Sequence, residues 1–178
     1  EKLTPFQWPM ARGDSEGRKR FFAKGGFYTA DKKARFVPVT PPAARPKTHQ
    51  LMVNTGRIRD HWHTMTRTGK SPRLSQHIAE PYCEIHPEDA MRLGIRTADL
   101  VEIENERGEA VVRASVTARQ QPGQIFVPMH WNDYYAANAR IGKVFADVVD
   151  PVSGQPALKM ASADVRRFDA VWHGFAIS

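Results

Sequence analysis

Between Thr55 and Leu74 the chain gathers Arg57, Arg59, Arg67, Lys70 and Arg73 for positive charge and Trp62 for a flat aromatic face. His61 and His63 add ring nitrogens, and Thr64, Thr66, Thr68 and Ser71 add hydroxyls. Asp60 is the one acid among them. Thr55-Gly56 can form a tight turn in which the missing side chain lets backbone N–H groups come close to an anion. Arginine forks match phosphate oxygens and guanine edges, and an indole offers a stacking surface to a base or a pterin. Together these residue types describe a seat for a flat, phosphate-bearing heterocycle.

His61 and His63, at i and i+2, point to one side of an extended backbone and could ligate a metal there. A metal wants three or four ligands, and no carboxylate or thiol cluster lies near them in the chain. No metal site is expected, which leaves hydrogen bonding to a polar ligand or the role of ordinary loop histidines. Cys83 is the only cysteine. One thiol makes no internal disulfide and holds no iron–sulfur cluster, and its setting in Pro81-Tyr82-Cys83-Glu84-Ile85-His86 reads as a buried strand thiol.

Something must position the 54–79 stretch, which has no clear period of its own; a loop of that length inside a domain is usually functional. A strand is expected over His49–Val53 before it and another over Tyr82–His86 after it. Pro87 to Gly94 reads as a short helix, with proline first, acids in the first turn and glycine as the stop. Asp99–Glu104 and Glu109–Thr117 read as a hairpin around Asn105-Glu106-Arg107-Gly108. Gln124–Met129 is a strand with Ile125 and Val127 on one face, residues 130–157 are loop-rich, and Leu158–Phe168 is a last extended piece. Many short strands with frequent turns favour a barrel or sandwich. Residues 1–47 form an N-terminal extended arm with short aromatic pieces, ending in a stiff connector with Pro38, Pro41, Pro42 and Pro46. Residues 48–178 make the compact domain.

The 178 residues carry a net charge of +7, with 41% hydrophobic and 25% charged residues, ordinary values for a globular protein. No apolar run approaches the ~20 residues of a membrane span, and no leader segment is read at Glu1. The charge is uneven: residues 1–75 hold 16 Lys/Arg against 5 Asp/Glu, residues 76–178 hold 10 against 14. That asymmetry points the first part toward an anionic partner. A phosphate-bearing cofactor, an acidic protein surface and nucleic acid all satisfy it, as does a solvated basic surface.

The run TGRIRDHWHTMTRTGKSPRLS resembles the loop that opens the last domain of bacterial molybdenum oxidoreductases carrying two molybdopterin guanine dinucleotides, among them nitrate reductases and formate dehydrogenases. YCEIHPEDAMRLGIRTADLVEIENERGEAVVRASVT, PGQIFVPMHWND and DPVSGQPALK resemble the body of that domain, and GGFYTADKKARFVPV with its Pro-rich link resembles the segment before it. MTRTGKSPRL paired with MHWND and DPVSGQP is most similar to the assimilatory nitrate branch. The resemblance implies a mainly β fold, a double-psi β-barrel with one or two short helices. It implies a dinucleotide site at Thr55, Gly56, Arg57, His61, Trp62, His63, Thr64, Thr66 and Arg67, completed by Lys159, which is therefore expected to meet residues 54–74 in one place. It implies molybdopterin guanine dinucleotide (Mo-bis-MGD) as cofactor, an iron–sulfur cluster and the metal ligand in upstream domains of the same subunit, an electron-donor protein or domain, and a cytoplasmic setting. On this reading no residue of the chain is itself catalytic, and neither nucleic acid nor membrane is a partner. One departure stands out: where relatives place a cofactor-contacting Asn eight residues before Asp-Pro, this chain has Gly142 before Asp150-Pro151, with Asn138 as the candidate replacement. His130 and Trp131 either approach the substrate path or pack at the end of their strand. The alternatives are the same domain in a formate dehydrogenase-like enzyme and a basic nucleic-acid-binding barrel that is no enzyme.

Overall fold

A computed structural model describes residues 4–36, 38, 51–151, 153–159 and 161–174. The chain divides into two compact units, Glu1–Ala44 and Arg45–Ser178. In the first unit no described residue is buried. Its aromatics pack on one another: Phe22 stacks on Phe27 at 4.6 Å and takes the edge of Tyr28 at 5.1 Å. Most of the proline connector, the boundary at residue 47, and His49 and Gln50 fall outside the described residues.

The second unit is a barrel of six strands: β1 (Leu51–Gly56), β2 (Tyr82–Ile85), β3 (Leu100–Asn105), β4 (Gly108–Val116), β5 (Gln124–Pro128) and β6 (Ala161–Arg167). Around the barrel they run β1-β5-β2-β4-β3-β6, and β6 closes on β1. Two pairs, β1/β5 and β2/β4, are parallel and the remaining pairings antiparallel. This is the double-psi arrangement implied by the resemblance.

Period-two alternation fills the interior. Leu51, Val53 and Thr55 of β1 point in, with Cys83 and Ile85 of β2, Val101 and Ile103 of β3, and Ala110, Val112 and Ala114 of β4. Ile125 and Val127 of β5 and Ala163 and Val165 of β6 complete the layer. Each fully buried Val, Leu or Ile contributes about 1.5–3 kcal/mol. Small alanines on β4 and β6 leave room for the branched residues opposite, as close packing of a narrow barrel requires.

Two short helices flank the sheet: α1 (Pro72–Ser75) and α2 (Pro87–Arg92). α2 begins on the His86 cap, whose Nδ1 accepts the Glu88 N–H, and stops at Gly94, whose φ of +67° suits glycine. Asp89 ties α2 to the turn before β5: its carboxylate accepts the Gly123 N–H at 2.6 Å and the Arg92 guanidinium at 2.9 Å. The hairpin turn falls on Glu106-Arg107, with Asn105 paired to Gly108. The 54–79 stretch holds more structure than its lack of period implies. β1 runs on to Gly56, a 3-10 turn covers Thr68–Lys70, and α1 follows. The 130–157 stretch likewise contains a 3-10 turn, Ile141–Val144, whose Ile141 and Val144 join the core beside β4.

Candidate functional site

Because β1 and β5 are parallel, both reach the same rim of the barrel. Thr55 is opposite Val127 and Gly56 opposite Pro128. The buried Thr55 hydroxyl donates to the Val127 carbonyl at 2.6 Å, and the Met129 N–H donates to the Gly56 carbonyl at 3.0 Å. Lys159, 104 residues further along, arrives at the same point: its Nζ donates to the Thr55 carbonyl. A Cβ on Gly56 would lie 3.2 Å from the Phe126 ring and 3.7 Å from the Lys159 ammonium. Gly56 therefore leaves a backbone without a side chain between the Phe126 ring and a fixed ammonium, a place where that cation can meet an anion close to the main chain.

From this rim the loop departs at Arg57 and is fastened at several points. His130, fully buried two residues past β5, accepts the Ile58 N–H on Nε2 at 2.9 Å. Since Nε2 is an acceptor, Nδ1 carries the proton, and it donates to the His63 carbonyl at 2.6 Å. One imidazole thus spans the two ends of the segment 58–63. His61 lies beneath the loop rather than on it: it is buried, bonded through Nδ1 to the Thr68 hydroxyl at 3.1 Å, with its ring 5.4 Å from Trp131 and 5.6 Å from His130. Burial holds both histidines below the ordinary imidazole range; for His61 the nearby Asp60 charge partly opposes that. Further on, Met65 is buried, its carbonyl accepts the Tyr135 hydroxyl at 3.0 Å, and Gly69 presses against the Tyr135 ring.

The upper surface is polar and cationic. The Arg57 guanidinium lies 5.1 Å from the centre of the Trp62 ring, a cation–π contact, and Trp62 meets His63 edge-on at 4.3 Å while staying half exposed. Thr64, Thr66 and Arg67 are exposed. Arg59 is drawn off to Asp60 at 3.0 Å and to His77 at 3.1 Å. Arg67, Lys70 and Arg73 show no ion pair among the described residues, so their charge faces solvent. Such a surface suits a phosphate-bearing ligand, and the exposed indole supplies the flat wall for a ring.

The structure thus brings Thr55, Gly56 and Lys159 together, and Arg57, Trp62 and His63 together. It puts His61 underneath and Thr64, Thr66 and Arg67 outside. His61 and His63 diverge, and among the described residues no group of His, Cys, Asp or Glu could hold a metal ion. Asn138 is committed elsewhere: its amide donates to Glu109 at 2.9 Å and accepts Lys143 at 2.8 Å. Gly142, in the 3-10 turn, has open space around it. Two cavities, of about 690 and 480 Å³, are lined by other parts of the barrel, near Tyr134–Ala139 and beside β2, and no residue of 54–74 contributes to either. Sequence reasoning missed Tyr135, Thr68 and Gly69 as loop fasteners. It placed His130 either in packing or on a path to substrate, and the structure makes it a buried hydrogen-bonded bridge, with Trp131 buried beside it. The MHWND motif was the signal available, but sequence spacing does not show that a residue 72 positions away meets Ile58.

Comparison with known proteins adds the family. A model described as molydopterin dinucleotide binding domain matches residues 51–162. The chain is 40% identical to a nitrate reductase of Klebsiella oxytoca over 98% of its own length and 20% of that protein's. It is 32% identical to an assimilatory nitrate reductase catalytic subunit of Bacillus subtilis over 89% of its length and 22% of that protein's. The chain therefore spans about a fifth of the length of these relatives. Among solved structures, acetylene hydratase from Pelobacter acetylenicus shares the fold with a TM-score of 0.56 at 17% identity, over 67% of this chain and 18% of that one. By its matched barrel, and by the rim and loop that the matched residues build, the chain belongs to the molydopterin dinucleotide binding domain family.

Proposed function

We propose that this chain holds bis-molybdopterin guanine dinucleotide within the catalytic subunit of a molybdenum-dependent nitrate reductase, and that the intact enzyme reduces nitrate to nitrite for assimilation in the cytoplasm. The observation that carries the reading is the junction at Gly56, where a backbone without a side chain lies beside the Lys159 ammonium and opens into an exposed cationic loop. That junction fits a pyrophosphate. Thr55 and Gly56 present backbone, Lys159, Arg57 and Arg67 supply positive charge, and Trp62, His63, Thr64 and Thr66 offer a flat wall and hydrogen bonds. His61 keeps the loop in shape from below. The likeness to nitrate reductases over nearly the whole chain supports the choice of substrate.

When bound, the cofactor supplies a redox-active molybdenum; the net reaction takes one oxygen from nitrate with two electrons and two protons, giving nitrite and water. This chain's part is to orient and neutralise the dinucleotide arms, a positioning role. The metal ligand, an iron–sulfur cluster and the contact for an electron-donor protein or domain belong to other parts of the subunit. Gly56→Val in the full-length subunit tests the reading. Pterin content, read by fluorescence after oxidation, and nitrate reduction with an artificial electron donor should fall together while the barrel stays folded. Full pterin content in the folded variant overturns the site. Formate oxidation in place of nitrate reduction by the wild type would move the chain to the formate dehydrogenase-like branch. Nitrate reduction by the 178 residues alone would place a catalytic centre where none is assigned.

A further inference from the structure

The hydrogen bonds of His130 have a consequence beyond packing. An imidazole can accept on one nitrogen and donate from the other only when neutral. Here both are used on the same loop, the Ile58 N–H at one end and the His63 carbonyl at the other, at 2.9 and 2.6 Å. His63 itself has a positive φ of +45°, as does Met65 at +60°, a backbone shape that non-glycine residues hold only when neighbours enforce it. From these contacts we infer that His130 is a positioning residue: in its neutral, Nδ1-protonated form it holds the segment Arg57–Thr64 in its loop conformation, and protonation of its Nε2 releases the Ile58 end of that segment from the barrel rim.

The surroundings set the direction. A proton on Nε2 would point a donor at the Ile58 N–H, so that contact turns repulsive. The charged or chargeable groups that act on the ring are His61, His63 and Arg57, all of which disfavour a positive charge on it. Asp60, the one acid of the loop, acts on His61 and is engaged by Arg59 and His77, and Asp133, the acid nearest to His130 in sequence, pairs with Arg140 at 3.2 Å. Burial, the largest influence, also favours the neutral ring and outweighs the His63 carbonyl, which accepts from Nδ1–H and favours the charged form. With its folded-state pKa below the ordinary 6.5, His130 stabilises the closed loop fully above pH 6.5, and that stability is lost as pH falls from 6.5 through the lowered value. The loop rather than the barrel should respond, because among the described residues both hydrogen bonds of the His130 ring go to the loop.

Hydrogen exchange followed by mass spectrometry on the full-length subunit tests this, comparing peptides from residues 57–64 with peptides from β3 and β4. Exchange rates are corrected for the intrinsic effect of pH. In the wild type, 57–64 should exchange about tenfold faster or more near pH 5 than near pH 7.5, with β3 and β4 unchanged. His130→Gln retains an acceptor and a donor without titrating, so its loop should stay slow at both pH values. His130→Phe keeps ring volume and loses both bonds, so its loop should be fast at both. A wild-type loop indifferent to acid overturns the proposal, as does a His130→Gln loop as acid-sensitive as the wild type, which would assign the release to His61 or His63. Should His130→Phe fail to fold, the other two proteins decide. Only the link to cofactor rests on the function proposed above: an open loop in His130→Phe with undiminished pterin content would overturn the assignment of the loop to the dinucleotide and leave the role of His130 standing.

Discussion

Gly69→Ala is a small change with a large expected effect. Gly69 sits in the 3-10 turn Thr68–Lys70, and a Cβ there would lie 2.7 Å from Cζ and the hydroxyl oxygen of Tyr135 and 2.8 Å from Cε1. Ordinary contact begins near 3.4 Å, so the ring must retreat by about 0.7 Å. That motion strains or breaks the 3.0 Å bond from the Tyr135 hydroxyl to the Met65 carbonyl. Overpacking costs about 1–3 kcal/mol, and the lost hydrogen bond about 1 kcal/mol more. Gly69 does not have a positive φ, so alanine suits the backbone and by itself would stabilise by about 0.4–1 kcal/mol through the unfolded state. The net expectation is a loss of about 1–3 kcal/mol of local stability in the loop. Removing the ring with Tyr135→Ala should reverse the sign, making Gly69→Ala neutral or slightly stabilising in that background. The double-mutant cycle can be read from hydrogen exchange of the 65–70 segment, converted to opening free energies. Equal costs of Gly69→Ala in both backgrounds would refute the steric argument.

Asp89→Asn should loosen α2 from the turn before β5 by about 1.5–3 kcal/mol, since the carboxylate accepts from both Arg92 and Gly123; thermal melting gives the loss. Burial raises the Asp89 pKa, but the Arg92 and Gly123 bonds outweigh it and the net shift is downward, so its contribution is full above the ordinary carboxylate value of 3.8 and fades as pH falls through the lowered one. Acid titration of the melting temperature should be shallower in Asp89→Asn below pH 3.8 than in the wild type. Cys83 lies at the centre of the barrel, and burial, helped by Glu84, pushes its thiol far above the usual range. A thiol-reactive disulfide reagent should leave it untouched in the folded protein and titrate it only in denaturant; labelling under native conditions would mean the barrel opens.

The strands were legible because a barrel this narrow enforces alternation: Val101 and Ile103, or Ile125 and Val127, have only one side to go to. The α2 helix was legible for a local reason, with Pro87 and Gly94 bracketing it. The expected ends slipped by one to three residues, as at Gly108 and Gly56, because the ladder and not propensity decides where pairing stops. The order of strands was carried by resemblance, since nothing in the pattern says that β5 inserts between β1 and β2. At the site, Thr55, Gly56 and the loop stood out by composition. What holds them did not: His130, Tyr135 and the carbonyls they engage are long-range, polar and partly backbone, and hydrophobic periodicity carries no trace of them. The loop is fastened to the barrel largely by these polar contacts.

The parallel pairing of β1 with β5 also orders events in time. Thr55 and Val127 are 72 residues apart, and Lys159 follows at 104. At roughly 5–20 residues per second the ribosome delivers the loop several seconds before the histidine that holds it, and the lysine later still. Contacts of such separation form late, after the loop-closure entropy has been overcome. A newborn loop of this charge therefore waits in solvent with no rim to lie on, and the rim exists only once β5 has slid in beside β1. The rim at Gly56, with Lys159 on the Thr55 carbonyl, is therefore a product of barrel closure and not a step toward it.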